Sequence, residues 1–86
     1  MKISFDPVKD EKTRKERGFS LEIGVEVIRH QVATRLDDRR DYGEDRLISF
    51  GYVDQRLLVC VYTVRGDTLR IISVRKANDR EIKRYG

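Results

Sequence analysis

Residues 46–53, 56–64 and 69–76 read RLISFGYV, RLLVCVYTV and LRIISVRK, three apolar runs in a chain otherwise crowded with charge. Each has the length of a strand and is rich in β-branched or aromatic side chains, which pack well on a pleated surface. The links between them, Asp54-Gln55 and Arg65-Gly66-Asp67-Thr68, are of the short kind that joins antiparallel neighbours. The spacing predicts a meander. In the middle run Leu57, Val59 and Val61 alternate with Leu58, Cys60, Tyr62 and Val64, so both faces are apolar and an interior strand is expected. In the last run a plain period of two sets Arg70 and Arg75 on opposite faces, with Lys76 at the exit.

Upstream, Val32 to Leu36 can add a further strand before the polar turn at Asp37 to Glu44. Ser20 to Arg29 is ambiguous. Leu21, Ile23, Val25 and Val27 alternate as in a strand, while a helix capped by Ser20 would group Leu21, Val25 and Ile28 on one face, with Gly24 allowing close approach. Pro7 to Arg17 is a clear helix. Asp6 is a good N-cap, proline suits the first helical position, Asp10 and Glu11 come early, Lys15 and Arg17 come late, and Gly18 follows. It has almost no apolar stripe beyond Val8, which predicts a surface helix with one narrow core contact. Lys2 to Phe5 suits a short edge strand, and Asn78 to Tyr85 a short capped helix.

Eighty-six residues leave room for one domain, here 1–86, with a small core, since 40% are charged and 38% hydrophobic. No run is long enough to span a bilayer and the N-terminus lacks a signal-peptide pattern, so a cytoplasmic protein is expected. The net charge of +4 is concentrated. Met1 to Val64 carries twelve basic and twelve acidic residues, whereas Arg65 to Gly86 carries seven basic and three acidic. A basic field confined to one segment attracts polyanions, and nucleic acid is the first partner to consider. A merely solvated surface is the alternative.

A lone cysteine, Cys60, excludes an internal disulfide and a Cys-based zinc site, and its mid-strand position predicts a buried, inert thiol. A lone histidine, His30, excludes a His-His pair. Asp37, Asp38, Asp41, Glu44 and Asp45 are interspersed with Arg39, Arg40 and Arg46 and read as a self-compensated polar turn rather than a Mg²⁺ site. Cutting RNA without metal needs a proton acceptor for the 2′-hydroxyl, fixed positive charge around the phosphorane and an acid for the departing 5′-oxygen. Arginines meet the charge requirement because their planar fork matches phosphate oxygens and stays ionised. Tyr42, Tyr62 and Tyr85 can donate protons or stack on bases.

Taken in order, several blocks resemble the BrnT toxins, whose fold is similar to that of the RelE-type ribonuclease toxins. They are Phe5-Asp6-Pro7, Gly18 with Ser20 and Glu26-Val27, Asp41-Tyr42-Gly43-Glu44 with Arg46, Tyr62-Thr63, Arg65-Gly66, Arg70-Ile71-Ile72-Ser73, Arg75 with Ala77, and Glu81 with Tyr85. The likeness runs from Phe5 to Tyr85 without a needed gap, and the Tyr-Thr-x-Arg-Gly and Arg-Ile-Ile-Ser-x-Arg blocks are its most distinctive parts. The resemblance implies an α+β fold, with two N-terminal helices on a twisted antiparallel sheet of about four strands and a short C-terminal helix. It makes Ser20 to Arg29 a helix. It also implies ribonuclease activity that halts growth, and neutralisation by a BrnA-type antitoxin with a ribbon-helix-helix domain.

By the same resemblance functional weight falls on Arg65, Arg70, Ser73 and Arg75, and on Tyr42, Glu44 and Tyr85. The expected enzyme is a metal-independent endoribonuclease, without cofactor, in which Arg65 and Arg75 hold the scissile phosphate. Arg70 or Lys76 guides the backbone and Glu44 or Tyr85 moves protons. The family commonly has an asparagine and a Lys-His pair late in the first helix, where this chain has Thr13 and Glu16-Arg17. Arg17 can clamp a phosphate but cannot shuttle protons near neutral pH. A binding module without catalysis is the competing expectation.

Overall fold

The computed structural model describes residues 2–38 and 43–86. The meander forms as its links require, with β3 (Arg46–Val53), β4 (Arg56–Arg65) and β5 (Thr68–Lys76) paired antiparallel. Asp54 and Gln55 both take positive φ, 51° and 67°, the mirror-image turn geometry that matches the twist of two strands. β2 (Gln31–Asp37) pairs with β3, which places the Val32 to Leu36 segment in the sheet as expected.

The N-terminus changes the architecture. β1 (Lys2–Ser4) lies parallel to β5, with Lys2 opposite Thr68 and Ser4 opposite Arg70. The sheet is therefore mixed and five-stranded in the order β1-β5-β4-β3-β2, not an antiparallel sheet of four. The free edge of β5 is what captures β1, as the Lys2 amide donating to the Asp67 carbonyl at 2.9 Å illustrates.

On one face Leu58, Cys60, Tyr62, Ile71 and Val74 pack against Leu21 and Val27. The segment at 20–29 is helical but broken into a 3-10 turn, Leu21–Ile23, and α2, Gly24–Arg29. Ser20 caps it as predicted, accepting from the Glu22 amide. The buried stripe is Leu21, Gly24 and Val27 rather than Leu21, Val25 and Ile28. Backbone proximity selects that stripe, because a Cβ on Gly24 would sit 2.8 Å from Cys60 Sγ and one on Gly51 of β3 would sit 2.1 Å from the Val27 carbonyl oxygen.

α1 (Pro7–Arg17) has the predicted ends, with Asp6 accepting from the Val8 amide and Gly18 at φ 80°. Its inward contact is polar, however. Asp10 and Thr13 are buried while Val8 is 75% exposed. Asp10 accepts from the Leu21 amide at 2.7 Å, from Ser20 Oγ at 2.8 Å and from Arg14 Nε at 3.0 Å, tying the helix to the turn that follows it. That pairing holds the Asp10 carboxyl below the usual aspartate range, the Leu21 amide being the largest cause.

The other face buries Ile48, Phe50, Leu57 and Val59, partly roofed by α3 (Asp79–Tyr85). α3 begins with a reciprocal cap in which Asn78 and Glu81 each accept from the other's backbone amide. At its far end Tyr85 stacks on Phe50, ring centroids 4.0 Å apart. Among the described residues no helix is long and apolar enough to cross a membrane.

Candidate nucleic-acid interface

The second sheet face collects arginine because strand register keeps returning that residue to it. Arg35 lies opposite Ile48 and Arg46 opposite Asp37; Thr63 lies opposite Arg70, Arg65 opposite Thr68 and Val59 opposite Arg75. Since Ile48 and Val59 belong to the face roofed by α3, alternation assigns Arg35, Arg46, Arg65, Arg70 and Arg75 to that same side. Arg70 and Arg75 share a face, not opposite faces as a plain period of two requires. The reason is a bulge. Tyr62 pairs with Ile71 and Val61 with Ser73, so Ile72 is an extra residue in β5 and reverses the alternation beyond it.

α3 covers one half of this face and leaves the other open. Half-buried Val61 and Ser73 stand opposite each other in the middle. Toward the Arg65 end, Lys9, Asp6, Glu44, Arg46, Arg65 and Arg70 line a recess of about 200 Å³. Arg65 meets Glu44 there through two hydrogen bonds, Nε to Oε1 at 3.2 Å and Nη2 to Oε2 at 3.0 Å. This pairing holds the Glu44 carboxyl below the usual glutamate range and raises the Arg65 guanidinium. At the α3 end Arg75 donates to Glu81 Oε1 at 2.7 Å and Oε2 at 2.8 Å. Glu81 is likewise held low, first by that hydrogen bond.

Arg65 and Arg75 do not converge on one phosphate. Arg75 lies opposite Val59, six residues from Arg65 along β4, or roughly 20 Å at the rise of a strand. Each guanidinium is also turned to its own carboxylate. Both can line one extended anionic chain, but not one phosphodiester between them.

Of the remaining expected residues, Tyr85 is on this face but stacked on Phe50, its hydroxyl 3.5 Å from Arg35 Nη1. Ser73 is on it as well. Lys76 lies opposite Leu58 and so belongs to the other side. Arg17 sits at the sheet edge beyond the end of β1, where its Nη1 donates to the Val74 carbonyl at 2.9 Å. That contact occupies a carbonyl of an edge strand, the kind of group that otherwise recruits another chain. Arg17, Lys76 and Arg75 meet Glu16 and Phe19 around a separate recess of about 360 Å³. Tyr42 lies outside the described residues.

Sequence reasoning missed Arg35, Arg46 and Lys9. For the first two the signal was available, since a period of two sets Arg35 on the face of the apolar Ala33 and Arg46 on that of Ile48. Lys9 had none. It reaches the recess because α1 runs beside the edge of β5, a matter of tertiary arrangement.

No curated protein matches the chain closely enough to be reported as a relative. A family model described as "Ribonuclease toxin, BrnT, of type II toxin-antitoxin system" matches residues 5–81, nearly the whole chain. That span includes the arginine face, the recess beside it and the capping residue Glu81, and the chain belongs to the BrnT family of ribonuclease toxins of type II toxin-antitoxin systems.

Proposed function

We propose that this toxin is a metal-independent endoribonuclease that lays RNA along the arginine face, from its open half toward the edge of α3. The observation that carries the reading is the gathering of Arg35, Arg46, Arg65, Arg70 and Arg75 on one side of the sheet. In this reading the scissile phosphate sits at the recess, held by Arg65 and Arg70, where fixed guanidinium charge offsets the charge of the phosphorane. Glu44, kept ionised by Arg65, accepts the 2′-hydroxyl proton. Arg75 and Ser73 hold the backbone further along the strand, with Tyr85 bordering the path. The protein acts in the cytoplasm as one domain of RelE type, and a BrnA-type ribbon-helix-helix antitoxin neutralises it.

Incubation of the pure chain with RNA in EDTA tests this. Fragments ending in 2′,3′-cyclic phosphate are expected, and RNA left intact at high protein excess overturns the reading.

A second reading, a weak or inactive relative that binds antitoxin or nucleic acid, is favoured by one observation. Arg65 and Arg75 are each closed by a bidentate carboxylate, so substrate phosphate must displace a good partner before either contributes.

A further inference from the structure

The recess at the Arg65 end holds strong fixed charge, but its arginines cannot move protons. A guanidinium does not give up its proton at physiological pH, and Glu44 is held as a carboxylate by Arg65. Metal-free cleavage still needs an acid for the leaving oxygen. Lys9 lines the same recess.

Lys9 is carried on a well-anchored element. Asp10, the next residue, is locked to Ser20 and Leu21. Arg17 at the far end of α1 is tied to β5 through the Val74 carbonyl, and β1 just ahead of the helix is paired with β5. Three attachments thereby fix the helix that carries Lys9 at the rim of the site, and its exposed side chain lines the recess. Its surroundings favour proton release relative to an ordinary lysine. Partial burial contributes most, repulsion from Arg17 and Arg46 follows, attraction from Asp6 opposes, and Lys12 adds a little repulsion. Glu44, Arg65 and Arg70 complete the charged lining. An RNA phosphate entering the recess brings negative charge beside the amine and keeps it protonated until the phosphorane forms.

We propose that Lys9 is the general acid of RNA cleavage, donating its proton from Nζ to the departing 5′-oxygen. This rests on the ribonuclease reading above. The Glu44 carboxylate takes the 2′-hydroxyl proton, the 2′-oxygen forms a bond to phosphorus, the bond from phosphorus to the 5′-oxygen breaks, and Lys9 supplies the proton to that oxygen. The products are a 2′,3′-cyclic phosphate and a 5′-hydroxyl. A neutral amine and a protonated carboxyl remain and exchange protons with water, so the cycle consumes no other reactant. The 2′-hydroxyl requirement makes RNA, and not DNA, the substrate class.

The test compares wild type with Lys9→Arg and Lys9→Gln in EDTA, on an RNA oligonucleotide and on the same oligonucleotide carrying a bridging 5′-sulfur at a mapped cleavage site. Sulfur leaves without needing a proton. On ordinary RNA both variants are expected to lose about 100-fold or more in rate, the scale of general acid catalysis. Wild type should show an alkaline decline that both variants lack. Lys9→Arg keeps the positive charge, so its RNA affinity should match wild type, and the sulfur substrate should restore its rate to within a few-fold of wild type. Thermal melting checks that both variants fold. A Lys9→Arg variant that keeps the wild-type rate and pH profile overturns the proposal and leaves the ribonuclease reading standing, as does a variant equally slow on the sulfur substrate. Wild type that cuts no RNA overturns both.

Discussion

Arg70 and Arg75, five residues apart on β5, point to the same side of the sheet because Ile72 forms a bulge between them. Without that extra residue one of them would lie under the helical layer or at its edge. The bulge therefore decides whether the C-terminal basic residues form one surface or two. Placing a side chain by such a device is a common use of bulges near functional sites.

Removing arginines from this face should weaken RNA binding in a way that salt reports. Arg70→Ala and Arg75→Ala should each reduce the slope of log affinity against log salt by about 0.7, the release expected per phosphate contact on a single strand. Lys76→Ala, on the other side of the sheet, should leave the slope unchanged. Equal slopes for wild type and Arg70→Ala, measured by fluorescence anisotropy, would show that the RNA path lies elsewhere.

Glu81 both completes the cap of α3 and clamps Arg75. Glu81→Gln keeps a side-chain acceptor for the Asn78 amide, so it should lower stability by no more than about 1 kcal/mol, through loss of the ion pair with Arg75. It should also tighten RNA binding, because substrate phosphate no longer competes with a carboxylate for Arg75. Urea unfolding and a binding titration give the two numbers, and weaker binding by a folded variant contradicts the second.

Acid should unfold the protein partly through Asp10. Its carboxyl titrates below the ordinary aspartate value in the folded chain, mainly because it accepts from the Leu21 amide. A lowered folded-state pKa means stability that is fully present above the unfolded value of about 3.9 and is lost as pH falls through the folded one. Asp10→Asn should melt at a lower temperature near neutrality and lose less on acidification in that window. Parallel melting curves for the two proteins across that window would exclude the contribution.

At Gly51 a methyl group would sit 2.1 Å from the Val27 carbonyl oxygen, and backbone atoms cannot swing aside. Gly51→Ala should cost at least about 3 kcal/mol, the upper range for overpacking a core. Gly66→Ala, with nothing within 4 Å of its Cβ but φ at 60°, should cost far less, about 1 kcal/mol. Equilibrium unfolding of both ranks them.

The sequence alone determined the elements that local chemistry specifies. The meander of 46–76 is written in period-two apolar runs and short links, α1 in the sequence from Asp6-Pro7 to Gly18, and α3 in the Asn78 cap. Cys60 was legible too, since its mid-strand setting already implied a buried thiol, and burial pushes it up to about 12. The family blocks were equally legible, because they are strings of residue types. Long-range proximity decided the rest. No local pattern reveals that β1 joins β5 in parallel, that Ile72 bulges, or that Lys9 meets Arg46, Arg65 and Arg70. Nor does one show that Arg65 and Arg75, close in sequence, stand far apart along the sheet while each finds a carboxylate. Charge type is fixed residue by residue, whereas convergence depends on register and on which edges remain open, quantities that exist only once distant segments have packed.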